Sequence, residues 1–225
     1  MDIYSRPVLI WRWIVFLLGA GYCIDQILFG SYSGFGGPFR YLTIWALFLS
    51  FYSASRMLAL TEQRITQRHE VTAICAAVLN VMVVYLYWRL FLQDPTLVNG
   101  ETANVWYREY YLHGLGPMLQ IIDALFVARV FRRVQRAILP LLGLIGVYVV
   151  WSELLVGPLN DSPKGTVTNG LPYPFLNSME LSERAVFYVA NVGVALTLLL
   201  CFAALGWLIY RVLPSAASRA ANPSR

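Results

Sequence analysis

The sequence predicts an all-α polytopic membrane protein: a six-transmembrane-helix bundle with both termini on the cytoplasmic side (N-in, C-in). Three observations carry that expectation. The 225 residues are 58% hydrophobic and only 13% charged, at a mean hydropathy of +0.59, whereas soluble domains carry about 25% charged residues. Six apolar runs of membrane-crossing length occupy most of the chain. The basic residues are dense in alternate connections and sparse in the others. A soluble globular domain, a disordered chain and a disulfide scaffold are all poor fits to this composition.

The first run covers about 8–29, with Arg12 near its start and Asp25 near its end, each expected to reach an interface. It lacks a small-residue cleavage site and reads as a retained helix rather than a signal peptide. The next runs cover about 39–60, 71–92, 107–128, 137–156 and 184–210. About 20 residues at ~1.5 Å each cross a ~30 Å hydrocarbon core, so every run is long enough. Helix is the expected form, because backbone polar groups in lipid need internal partners. The runs are continuous rather than alternating, which disfavours a transmembrane barrel. Turn chemistry separates them: Gly34, Gly36-Gly37-Pro38, Asp94-Pro95, Asn99-Gly100, and four prolines between Gly157 and Glu183. Residues 1–213 are expected to form a single domain, followed by a short mobile tail over 214–225.

Orientation follows from the cations. Twelve of the 17 basic residues fall on one side and five on the other, namely Arg40, Arg89, Arg108, Lys164 and Arg184. The denser side is expected to be cytoplasmic, placing the 157–183 loop outside. The net charge of +5 therefore belongs to membrane edges. The run Arg129-Val-Phe-Arg-Arg-Val-Gln-Arg136 reads as an anchor on anionic lipid, and no nucleic-acid partner is expected. The expected setting is the lipid bilayer of a plasma, inner or endomembrane.

Soluble-enzyme signatures are missing. There is no GxGxxG, GxxxxGK[ST] or HExxH, and Gly30-Ser-Tyr-Ser-Gly34 has Tyr32 where a nucleophile elbow needs serine. Cys23, Cys75 and Cys201 lie singly inside helices and read as buried free thiols. Two histidines, one of them at an interface (His69), make a metal site improbable, and no cofactor is expected. Asn160-Asp161-Ser162 is a sequon, discounted for its closeness to the membrane and to Pro163.

Polar groups inside membrane helices are expensive, so their depth is informative. Counted from the outer helix ends at ~1.5 Å per residue, Asp25, Thr43, Arg89, His113, Ser152, Glu153 and Asn191 fall in one outer layer. Asp123 falls near the inner surface and Arg129, and Asn80 near the middle. The layer suggests a polar pocket opening outward. The competing reading is that interfacial polar residues simply sit near water; a lone membrane threonine usually bonds its own i−4 carbonyl.

Three short blocks break that tie. Gly36-Gly-Pro-Phe-Arg-Tyr-Leu-Thr43 resembles the GG-x-x-K/R-YLT block of the androgen-induced gene 1 / FAR-17a family. His113 matches that family's helix-four histidine, and Leu171-Pro-Tyr-Pro-Phe-Leu176 is similar to its YP-[FL]-L block. The resemblance spans about 30–210, with Arg40 where lysine is common. Gly114-Leu-Gly-Pro117 is more similar to the prokaryotic branch, whose substrates the resemblance does not define. The family's eukaryotic members are intramembrane threonine hydrolases of fatty acid esters of hydroxy fatty acids. The resemblance implies a lipid ester substrate, Thr43 as nucleophile and His113 as base. A threonine hydroxyl needs such a base, and imidazole is the usual one. Groups at similar depth that could orient the imidazole are Asp25, Glu153 and Asn191. Arg89, aromatic N–H or O–H groups and backbone N–H groups at the second helix's start could stabilise an oxyanion. Trp45, Phe51 and Leu115 are expected along the acyl chains, and Tyr173 over the mouth. A non-catalytic lipid-binding protein and a small-molecule or lipid transporter are the alternatives; the lack of internal repeats weighs against the transporter.

Overall fold

The computed structural model describes residues 2–99, 105–160 and 170–213. The expected tail, Lys164 and the last two residues of the sequon lie outside that set. Among the described residues the chain is helical with no strand. The long helices are α1 (Arg6–Phe29), α2 (Leu42–Thr61), α3 (Glu70–Gln93), α4 (106–127, four abutting helical pieces), α5 (Gln135–Leu159) and α6 (Leu181–Val212). Five of them, all but α4, are long and apolar enough to cross a membrane. This is a membrane protein by that measure.

The helix ends follow from local chemistry. Pro7 stands in the first turn of α1, where its missing N–H costs nothing. α6 opens with a capping box between Glu180 and Glu183, the Glu180 N–H donating to the Glu183 carboxylate at 2.9 Å. The second helix begins later than the apolar run suggests. Gly36 and Gly37 hold φ of +85° and +49°, and Gly37–Arg40 forms a 3₁₀ turn before α2. A side chain at Gly37 would also meet the Tyr32 ring, 2.8 Å from the Cβ position.

α4 differs from the continuous span expected over 107–128. Its 111–115 and 123–127 pieces are π-turns. The first has a named cause. Pro117 has no N–H for the carbonyl four residues back, and its ring crowds that carbonyl. That residue is His113, whose φ/ψ of −112°/15° leaves the helical range, and the Gly116 N–H reaches back five residues to Tyr111. The π-turn of α5 over Ser152–Val156 precedes Pro158 in the same way.

Small residues let α3 sit at the centre. Ala73, Ala76, Ala77, Val78 and Leu79 are buried, and all but Ala76 belong to clusters with side chains of α2, α4, α5 and α6. The Asn80 amide donates to Ser50 Oγ at 2.7 Å, joining α3 to α2, and Gln120 Nε2 donates to the Ala73 carbonyl at 3.0 Å, joining α4 to α3. Tyr22 and Tyr111 stack at 3.6 Å, joining α1 to α4.

Two expectations are corrected, those for Arg12 and Cys201. Arg12 does not reach an interface: it is 2% exposed, because Asp123 supplies a buried counterion. Its Nε and Nη2 donate to the two Asp123 oxygens at 3.1 and 3.4 Å, and Nη1 to Thr61 Oγ1 and the Met57 carbonyl. Asp123 therefore pairs with Arg12 and not with Arg129, which donates to the Leu213 carbonyl at the end of α6. Cys201 is exposed on the bundle surface, whereas Cys23 and Cys75 are buried. Of the sequon, Asn160 is buried and holds Phe35 N–H, Phe35 C=O and Val156 C=O.

Candidate active site

A cavity of about 1020 Å³ lies at the end of the bundle where α2 begins, and residues of all six helices line it. Its lining includes apolar side chains, among them Met82, Val83 and Leu86 of α3, Ile145 and Val149 of α5 and Phe187 of α6. It also includes polar ones, among them Gln26, Ser31, Arg40, Arg108 and Glu109. Thr43 and His113 belong to the same lining.

Thr43 stands in the first turn of α2. Tyr41 makes no side-chain cap, and the Leu42 N–H meets the Tyr148 and Tyr173 hydroxyls. The positive end of the helix dipole lies beside the Thr43 hydroxyl. Thr43 Oγ1 lies 3.4 Å from His113 Nε2, across 70 residues of sequence. That is the long end of hydrogen-bond range, as catalytic pairs without substrate often are.

Two contacts meet the imidazole and a third holds the His113 backbone. Tyr87 stacks flat on it at 3.5 Å and 7° between planes. The Trp88 indole donates to the His113 carbonyl at 2.9 Å, taking the acceptor that Pro117 leaves without a helical donor. Glu109 Oε2 stands 3.1 Å from Nδ1, the nitrogen facing away from Thr43. The side chains of His113 and Glu109 are 8% and 20% exposed.

Glu109 was missed by the sequence reading, which took its candidates Asp25, Glu153 and Asn191 by depth. The available signal was its i, i+4 spacing to His113, which puts both on one helix face. The other expected groups lie elsewhere. Asp25 is gripped by Arg108, with Nε–Oδ2 at 2.7 Å and Nη2–Oδ1 at 3.0 Å, and Arg108 also donates to the Phe29 carbonyl at the end of α1. Glu153 accepts from Arg184 Nε at 2.9 Å and Tyr188 Oη at 2.6 Å. Asn191 lines the cavity, but its amide donates to the Phe187 carbonyl of its own helix. Arg89 is exposed and lies against Tyr85. Among the residues expected along the substrate, Tyr173 lines the cavity. Trp45 instead donates to the Phe39 carbonyl, and Leu115 is 43% exposed on the outside of α4.

Tyr173 closes the wall beside the start of α2. It meets Tyr41 edge-on at 6.1 Å, and burial pushes its phenol up to about 12, so it remains a hydroxyl at neutral pH. The Tyr148 hydroxyl donates to the Arg40 carbonyl at 2.9 Å, tying α5 to the same turn. Among the described residues, no group of three His, Cys, Asp or Glu side chains could hold a metal ion.

A family model described as FAR-17a/AIG1-like protein matches residues 14–206, most of the chain. No curated protein and no solved structure matches it.

Proposed function

Since the chain belongs to the FAR-17a/AIG1-like family, we propose that it is an intramembrane lipid ester hydrolase that works through a Thr43 acyl-enzyme. The observation that carries this reading is the Thr43–His113 approach of 3.4 Å on the lining of a cavity of about 1020 Å³ with many apolar side chains. A half-buried hydroxyl beside a buried imidazole, on a cavity with much apolar lining, is an arrangement suited to ester cleavage. A buried polar side chain such as His113 would be costly in a membrane span without such a use.

The reaction runs in two halves. In the first, His113 Nε2 takes the Thr43 proton as Oγ1 attacks the ester carbonyl. The tetrahedral intermediate expels the alcohol oxygen, which receives that proton, and Thr43 carries the acyl group. In the second, water gives a proton to Nε2 and attacks the acyl-threonine. Its collapse returns the proton to Oγ1 and releases the carboxylic acid. The positive end of the α2 dipole would favour the oxyanion in both halves. The acyl chain would lie along Met82, Val83, Ile145 and Val149. Fatty acid esters of hydroxy fatty acids, the class the family resemblance implies, are the proposed substrates.

The proposal includes a multi-pass topology with both termini in. α4 would be the sixth span: its 22 helical residues reach about 33 Å at ~1.5 Å each. The cavity would then open toward the outer leaflet.

The test uses purified protein in nanodiscs with a hydroxy fatty acid ester. Wild type should hydrolyse it, whereas Thr43→Ala and His113→Ala should each lose at least about 100-fold in kcat at unchanged melting temperature. Wild-type turnover by either variant would overturn the assignment.

A further inference from the structure

We infer that Glu109 is the positioning acid of this site, so that the working unit is Thr43–His113–Glu109. The inference rests on the ester-hydrolase reading and adds the group that selects the tautomer of the base.

A neutral imidazole carries one proton, and the base works only if its Nε2 lone pair faces Thr43. The proton must then sit on Nδ1. Glu109 Oε2 stands 3.1 Å from Nδ1, close enough for an ion pair but short of hydrogen-bond alignment at Nδ1, while Thr43 Oγ1 stands 3.4 Å from Nε2. The two nitrogens thus face an anion and a hydroxyl on opposite sides of the ring. A carboxylate there favours Nδ1–H and, after proton transfer, stabilises the imidazolium. The ring has little freedom to exchange these roles. Tyr87 of α3 lies flat on it at 3.5 Å, and Trp88 of α3 holds its carbonyl at 2.9 Å.

The neighbouring acids are committed elsewhere. Asp25 is bound by Arg108, and Glu153 by Arg184 and Tyr188. The groups facing the His113 ring are therefore Glu109 on its own helix, Thr43 on α2 and Tyr87 on α3. Arg40 and Arg108 are the cations in the same cavity wall.

The π-turn gives this arrangement its geometry. Pro117 displaces His113 from helical dihedrals, and the distortion falls between Glu109 and the rest of α4. Glu109 itself stands in the regular turn before it, four residues ahead of the imidazole.

Two measurements test the inference. The first is ¹⁵N NMR of histidine-labelled wild-type protein, simple to assign because the chain has two histidines, His69 and His113. His113 should be protonated on Nδ1 at neutral pH, and protonation on Nε2 would overturn the inference. The second compares Glu109→Gln and Glu109→Asp with wild type. Glu109→Gln should lose about 100- to 10,000-fold in kcat with KM little changed. Its acid limb in kcat/KM should move to lower pH, because imidazolium loses its anion. Glu109→Asp should recover part of kcat. A wild-type rate and an unmoved limb in Glu109→Gln would overturn the positioning role. The two readings fail separately. Full turnover in Thr43→Ala sinks the hydrolase reading itself. Loss in Thr43→Ala and His113→Ala, with a wild-type Glu109→Gln, sinks this inference alone.

Discussion

The Arg12–Asp123 clasp sets a stability that can be worked from its contacts. Arg12 is 2% exposed and directs four hydrogen bonds to Asp123, Thr61 and Met57. Asp123→Ala removes two of them and leaves a guanidinium charge without its anion among apolar helices. Breaking a buried pair from one side costs about 3–5 kcal/mol. At this chain length about 2–4 °C of melting temperature goes with each kcal/mol, so a fall of roughly 6–20 °C is expected. Replacing both partners with apolar residues of similar size, Arg12→Met with Asp123→Leu, should restore the wild-type value to within about 1 kcal/mol or exceed it. The exposed pair Arg64–Glu62 is the internal control; Arg64→Ala should cost less than about 1 kcal/mol. The assay is thermal unfolding in nanodiscs, followed by tryptophan fluorescence. The reasoning is refuted if Asp123→Ala melts like Arg64→Ala, or if the double variant melts as low as Asp123→Ala.

Three further outcomes follow from single contacts. Trp88→Phe keeps the ring but strands the His113 carbonyl, and should cost about 1–3 kcal/mol of stability, with a fall in kcat measurable on the ester substrate. Gly37→Ala meets both a positive φ and the Tyr32 ring, so it should lower the melting temperature by at least about 2 °C for ~1 kcal/mol of strain. Asn160 is buried in three hydrogen bonds; protein made in glycosylating cells should show no mass shift on glycosidase treatment, and Asn160→Ala should melt lower than wild type.

The helices were legible because lipid demands it: five runs of apolar residues became five helices of membrane length. The interruption in the fourth was not read, though its cause was written in the chain as Pro117, four residues after His113. Arg12 was misplaced because a lone arginine near a helix start usually reaches water. Its partner lies 111 residues away, and only packing brings the two together. At the site, depth counting grouped Thr43 and His113 in one outer layer, and the family blocks singled them out. Depth counting failed for Glu109, because it treats each helix as a column and ignores which face a residue shares. Asp25 and Glu153 were at the right depth, but Arg108 and Arg184 hold them. A count of heights cannot see those pairings.

The central claim is that Thr43 is the nucleophile. The most direct measurement is a fluorophosphonate reaction on the purified protein in nanodiscs, followed by proteolysis and mass mapping of the adduct. The account predicts one adduct, on the Thr43 hydroxyl, lost in Thr43→Ala and suppressed in His113→Ala. An adduct on any other residue, or undiminished labelling of Thr43→Ala, would contradict it.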